Sequence, residues 1–477
     1  MESSQDDNAV QPSSTPAVRL LAQHAMRGSG TPSEPQSAPA DHGTRREHVR
    51  VRAQHSPAST PCPFYTSTQW TADGTSLIAT TSAQAVSSFV LPADLLQPAG
   101  APRMLQPQAT LRLPEPTQVV AAAPYFSLAD PASQLLLVGC RDHPLQIYHA
   151  FPSSDSNHAD ELANDGSDDR DDGAHAAPLT SYKLIRKESE QYITPASLLW
   201  EHPGTHFVCG SANRVDYFDV SRPGSDGPLL TIPTIPSRRH ISKGHGVGMK
   251  GTVAALSASP PEGSHDPSAG SAGSGIFAAG TWTRWMGLYD LRRTDRVVAN
   301  WSVANAAAEV FRVALGGQGI AQTAWSPCGR YLVINERHAS GLLVYDIRVT
   351  GQLLAVLAGR TAPTQQRLRC DVFPGGTGTA APGFEVWAGC HDGRAAVWEA
   401  VGARNDVLDP SWVWPAHDAP VASAAVHPSG SVVATCSGGW GHLTPEQVGE
   451  GAAARSPAAL SEARVFDESS IKVWALG

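Results

Sequence analysis

A three-strand unit that recurs along the chain constrains its fold more than any other feature. Its least interrupted copy runs from Gly319 to Arg348, where the runs IAQTAW, YLVINE and LLVYDI are separated by the turns SPCG and RHASG. The runs alternate or are fully apolar, the turns carry Pro or Gly, and no stripe of helical period fits them. Such a unit cannot bury both of its faces alone, so it needs copies of itself to pack against.

The copies are present. The third run reappears as AVSSFVL, LQIYHAF, RVDYFDV, MGLYDLR, AAVWEAV and IKVWALG, and the first run with its turn as TQWTADG, PYFSLAD, LLWEHPG and AAVHPSG. ALSASPPEG and CDVFPGG are weaker copies. Seven units result, with an aromatic residue in register at Phe89, Tyr148, Phe218, Tyr289, Tyr345, Trp398 and Trp474. Successive positions lie further apart than the roughly 40–45 residues of a plain WD repeat. The excess falls in insertions: an acidic loop at 153–178, a Ser/Gly/Pro-rich one at 259–274, and one at 438–466 in the seventh unit. The fold predicted is all-β, a seven-bladed WD40 β-propeller, whose blades leave only short, protected edges. The chain ends on a third strand, and 48–54 (HVRVRAQ) alternates as the missing outer strand of the last blade should. Residues 1–47, poor in apolar side chains, are expected to be a disordered tail, leaving 48–477 as the propeller.

Composition narrows the function. The 43 glycines and 38 prolines among 477 residues suit many short strands. Cys140, Cys209, Cys390 and Cys436 each close an apolar run and read as small buried hydrophobes in reduced protein. No apolar run could span a bilayer, and the N-terminal residues lack a secretory h-region, so the expected setting is the nucleus, with the cytoplasm as a second place. The formal net charge of −9 argues against bulk nucleic-acid binding.

Catalytic and cofactor patterns fail on context. Gly246–Gly251 spells G-x-G-x-x-G, but a strand follows where a dinucleotide site needs a helix. The run Asp168–Gly173 misses EF-hand spacing at Arg170. His391 and His417 stand before third and first strands, where they tie turns together. The expectation is a non-enzyme without cofactor or metal.

One pattern does suggest a surface. Turns between second and third strands, and connectors into first strands, share one rim of a propeller. Read in order, they carry Arg141, Arg214, Arg284, Arg337 and Arg394, with Arg367 entering a first strand from the same side. Any one of these could pair with a turn Asp, such as Asp142 or Asp392. Together they suggest an anion-binding face for a phosphate backbone, with Phe64, Trp282 or Trp285 for base stacking. On the opposite face, Asp290–Arg292 and Asp346–Arg348 follow third strands. There Arg292 and Arg348 can brace their blades through Asp290 and Asp346, or meet a protein partner.

The irregular segments carry a resemblance. PFYTSTQWTADGTSLIATTSA, RDHPLQIYHAF, FVCGSANRVDYFDVSRPG, GTWTRWMGLYDL and TQQRLRCDVFPG, in that order, resemble the telomerase Cajal body protein family of WD-repeat proteins and its fungal relatives in pre-mRNA splicing. The resemblance implies a propeller that binds small nuclear RNA (snRNA, small Cajal-body RNA or telomerase RNA) and assists ribonucleoprotein assembly, localisation or splicing. It would act as a monomer within a larger complex of RNA and ribonucleoprotein proteins. Phe64, Arg141, Arg214, Arg284, Arg348 and Arg367 are the positions that match. The acidic loop and the N-terminal arm have no counterpart. The alternative is a protein-interaction propeller, such as a cullin ubiquitin-ligase substrate receptor, using the Tyr-Asp-x-Arg boxes that end at Arg292 and Arg348.

Overall fold

A computed structural model describes residues 16–26, 63–152, 176–186, 188–224, 226–235, 249–260, 275–291, 297–375, 383–441, 464–465 and 468–477. Seven sheets form seven blades among the described residues, each with four antiparallel strands, and a short parallel strand is added at the edge of blades 5 and 7. Blade 5 is the plain case: Ile320–Trp325, Tyr331–Glu336, Leu342–Asp346 and Leu353–Leu357 follow in order. No helix among the described residues is long and apolar enough to cross a membrane.

The aromatic register positions explain why the repeat is spaced as it is. Phe89, Tyr148, Phe218, Tyr289, Tyr345, Trp398 and Trp474 are all buried, each beneath a neighbouring blade. One large ring per third strand fills the wedge between sheets, a gap that aliphatic residues alone fill less completely. The cysteines that close apolar runs, Cys140, Cys209, Cys390 and Cys436, are buried free thiols.

The first strands face the axis, and polar side chains stitch them to one another. Thr68 and Ser423 share a hydrogen bond at 2.8 Å, and Ser257 and Thr323 share one at 2.7 Å. Ser197 Oγ donates to the Val253 carbonyl, and Gln322 Nε2 to that of Cys370, at 2.8 and 2.7 Å. In five blades the first strand slips register by a residue near its start, as between Ile320 and Gln322. Such bulges add local twist where the strands crowd towards the axis.

Blade 7 holds the ring shut. Its strands Val421–Val426, Val432–Ser437 and Ser470–Leu476 come from the C-terminal end, and the outer strand is Val18–Ala25. An N-terminal strand therefore closes the ring as expected, but not the expected one. Residues 48–54 lie outside the described residues, and part of the stretch assigned to the tail belongs to the propeller. The physical reason is apolar content. Leu21 and Ala22 are buried in the core shared by blades 7 and 1, whereas HVRVRAQ offers two valines flanked by arginines. The strand is clasped on its other side by Arg103–Met104, a parallel pairing reinforced by Leu105 N–H donating to the Gln23 carbonyl at 2.8 Å. The insertions fall as expected, between strands three and four of blade 2, one and two of blade 4, and two and three of blade 7.

Inside blade 7, His417 is a structural histidine. Trp474 Nε1 donates to Thr435 Oγ1 at 2.8 Å, and Thr435 Oγ1 lies 2.8 Å from His417 Nε2. His417 Nδ1 lies 2.9 Å from Glu468 Oε1. Burial lowers the His417 pKa, so the ring is neutral, and a donor at Nδ1 with an acceptor at Nε2 satisfies every partner.

Leu21→Ala should cost about 3 kcal/mol of stability, and deleting 16–26 should abolish the cooperative melt. Deleting 48–54 should leave it unchanged. Thermal unfolding of the three variants checks this; the reverse order would restore 48–54 as the closing strand.

Candidate nucleic-acid interface

The turns between second and third strands and the connectors into first strands all open on one face. Five of these hairpins reverse through a residue with left-handed backbone: Asp142, Asn213, Arg284, His338 and Gly393. Tight hairpins of this kind match the right-handed twist of their strands. They keep the rim shallow, so side chains there either fold back onto the sheet or project.

Three of the rim arginines fold back. Arg214 grips Asp216, which is fully buried, through Nε at 2.7 Å and through Nη2, which also reaches Thr231. Arg284 crosses from blade 4 to blade 5, donating to Glu336 at 2.6 and 2.9 Å and to the Gly316 carbonyl at 3.0 Å. Burial raises the pKa of Glu336, and the Arg284 guanidinium offsets part of that rise. Arg394 pairs with its neighbour Asp392 at 2.7 Å. Arg141 is exposed. Phe64 is only 2% exposed and lies edge-on beneath Trp440, their centroids 5.4 Å apart; the exposed ring at this place is Trp440.

Three arginines behave differently. Arg337, Arg367 and Arg369 lie near enough on this face for the charges of the other two to act on Arg367, and none has a carboxylate partner among the described residues. Arg337 lies over the ring of Trp282, 5.4 Å from its centroid, and its buried Nε has no hydrogen-bond partner. Arg367 Nη2 reaches the Ala196 carbonyl at the entry to blade 3, 3.3 Å away. Burial pushes its pKa down to about 9, and the charges of Arg337 and Arg369 add to the fall. Burial also lowers those of Arg337 and Arg369. All three remain cations at neutral pH, each in a setting that disfavours its charge.

The cluster is held from below. Arg360, fully buried, donates to the Leu368 and Gly389 carbonyls and to Asn335 Oδ1 at 2.7, 2.9 and 2.7 Å. Asn335 Nδ2 donates to the same Leu368 carbonyl at 2.7 Å. Leu368 is thereby pinned between Arg367 and Arg369, which fixes where both side chains start. Alongside, Gln366 Nε2 donates to the Gly438 carbonyl at 2.8 Å, linking the cluster to the segment that carries Trp440. Trp282, beneath Arg337, and Trp440, on the segment that Gln366 reaches, are 49% and 45% exposed. Arg369, Arg360 and Trp440 escape a reading of turns alone. Arg369 had a usable signal: in RLRCDV it stands two residues from Arg367, on the same side of an extended chain.

On the opposite face, Arg348 donates to Asp346 through Nε and Nη2 at 3.0 and 2.8 Å, and Arg330 joins the same carboxylate at 3.0 Å. Hydrogen bonds from Arg348 and Arg330 hold the Asp346 carboxyl down at about 2 against the opposing effect of burial. Arg348 shares the Asp346 carboxylate with Arg330, and its side chain is 60% exposed. Asp290 ends the third strand of blade 4, and Arg292 lies outside the described residues.

Glu336→Ala should cost about 3 kcal/mol by stranding Arg284, whereas Arg348→Ala should leave the melting temperature nearly unchanged because the Arg348 side chain is exposed and Arg330 remains on Asp346. Asp346 is more acidic folded than unfolded. Its contribution is complete above the ordinary aspartate range and is lost as pH falls through about 2. Asp346→Asn should flatten that part of the acid limb in pH-dependent melts.

No family model matches the chain. It is similar to the fission-yeast Guanine nucleotide-binding protein negative regulator 1, 22% identical over 77% of each chain. It is also similar to Telomerase Cajal body protein 1 of rat and of mouse. Both are 23% identical, over 79% and 87% of this chain, and it spans 59% and 66% of their lengths. The chain is accordingly a distant relative, over most of its length, of the telomerase Cajal body proteins and of a fungal protein, in agreement with the resemblance carried by its irregular segments.

Proposed function

We propose that this protein is a non-enzymatic WD-repeat scaffold that binds single-stranded small nuclear RNA across the channel mouth and so assists ribonucleoprotein assembly, localisation or pre-mRNA splicing in the nucleus. One observation carries the reading: three arginines without acidic partners among the described residues lie near two exposed tryptophans. Guanidinium forks suit phosphate oxygens, and each exposed indole offers a sequence-tolerant face for a base. An acidic protein that concentrates uncompensated positive charge at one place fits a local, directed contact with a polyanion. Relatives named for telomerase and the Cajal body support a ribonucleoprotein setting.

The observation redistributes the rim residues. Arg337 and Arg367, with Arg369, are the ones available to phosphate, and Arg141 can add an outer contact. Arg214, Arg284 and Arg394 serve the blades through Asp216, Glu336 and Asp392. A second reading, a protein-interaction propeller such as a ubiquitin-ligase substrate receptor, draws on the exposed Arg348 and on the yeast relative, named as a regulator of a guanine nucleotide-binding protein.

Binding of single-stranded RNA across a salt series tests the choice. Arg367→Gln and Arg369→Gln should each weaken binding and lower the salt slope by about one, and Trp282→Ala and Trp440→Ala should each cost about 1–3 kcal/mol. Arg394→Gln should change little. Salt-insensitive binding, or none, together with capture of an adaptor protein lost in Arg348→Ala, would favour the second reading.

A further inference from the structure

The three mouth arginines differ from an ordinary phosphate-tracking groove in their arrangement. A groove spreads its cations along a backbone, one for each phosphodiester. Here Arg337, Arg367 and Arg369 are close enough for Arg337 and Arg369 to depress the pKa of Arg367. Arg367 also spans the axis, because it leaves the connector into blade 6 and meets Ala196 at the entry to blade 3, which is not an adjacent blade. That side chain therefore lies across the channel at this face rather than along its wall.

We propose that the channel mouth is a site for a phosphomonoester dianion, the terminal phosphate of an RNA strand whose next bases lie on Trp282 or Trp440. The inference rests on the RNA reading above and names the end of the strand as what that site takes. Charge supports a strand end over a strand middle. An internal phosphodiester carries one negative charge, whereas a phosphomonoester carries about 1.5 to 2 at neutral pH with three acceptor oxygens. Three neighbouring cations without a carboxylate partner among the described residues are matched better by the second. Donor supply agrees. The Nε of Arg337 is buried and unpartnered, and Arg367 holds its carbonyl partner at 3.3 Å, a long contact easily exchanged for a charged acceptor. Preorganisation agrees as well. The Leu368 carbonyl is fastened from below by Arg360 and Asn335, so Arg367 and Arg369 start from fixed positions and little ordering accompanies capture.

The test uses the full-length protein and one short single-stranded RNA made with a 5′-phosphate, with a 3′-phosphate, or with hydroxyls at both ends. A phosphate at one of the two ends should tighten binding by about tenfold over the hydroxyl-ended strand, as expected for one added charge-assisted contact. Arg367→Gln and Arg369→Gln should erase that preference, whereas Trp440→Ala should weaken all three strands alike and keep it. A second arm needs no RNA: inorganic pyrophosphate should raise the melting temperature of the wild type but not of the Arg367→Gln/Arg369→Gln double variant. Without ligand, that variant should melt no lower than the wild type, because it loses mutually repelling charges; this controls for folding. Should no strand bind while the pyrophosphate shift is present and depends on the two arginines, the RNA reading fails and the dianion site stands, its source being a phosphomonoester other than RNA. Equal affinity for phosphate- and hydroxyl-ended strands overturns the terminal-phosphate assignment. A pyrophosphate shift that is absent, or that persists in the double variant, overturns the site itself.

Discussion

Pairing between the two ends of the chain is the interaction on which the rest depends. Val18–Ala25 lies along Ser470–Leu476, and Gly477 N–H donates to the Ala17 carbonyl at 3.0 Å. A propeller has no other way to close except by joining its first and last blades, and every first strand is positioned by two neighbours. With blade 7 complete, Thr68 meets Ser423 across the seam, and side-chain bonds join the first strand of blade 7 to that of blade 1. The parallel clasp of Arg103–Met104 adds blade 1 to the same lock, so closure joins both sides of the seam.

The ring in turn makes the channel mouth possible. Arg337, Arg367 and Ala196 stand far apart in the chain and on three different blades, and only a closed circle brings them to one axis. Like charges held together there are unfavourable, and the surrounding fold must over-determine their positions. Arg360 does this from within. It is a buried cation with no acid beside it among the described residues, solvated by two carbonyls and an amide oxygen. Its role in the fold and the placing of Arg367 and Arg369 are two results of one arrangement.

The same chemistry has opposite meanings at neighbouring positions. Arg214, Arg284 and Arg394 occupy rim turns as Arg337 does, yet each finds an acid: Asp216 two residues on, Glu336 on the next blade, Asp392 two residues back. Asp392 is visible as a partner in the sequence because it shares the turn. Glu336 is not, because it lies on a different blade and its side chain turns inward between the two sheets. Phe64 shows the converse. An aromatic residue before a first strand looks available in a linear reading, but Gly438 and Trp440 cover it.

The sequence by itself determined that this chain is a seven-bladed propeller, where its insertions fall, and that one rim is rich in arginine. Those features are local and periodic: strand alternation, turn residues and one buried aromatic per repeat recur at legible positions. Only the tertiary structure decided which N-terminal segment closes the ring and which arginines keep a charge to spare. Both depend on partners distant in sequence. A closing strand is chosen by the core that Leu21 and Ala22 enter, and an arginine is free or bound according to the side chain that the neighbouring blade places beside it.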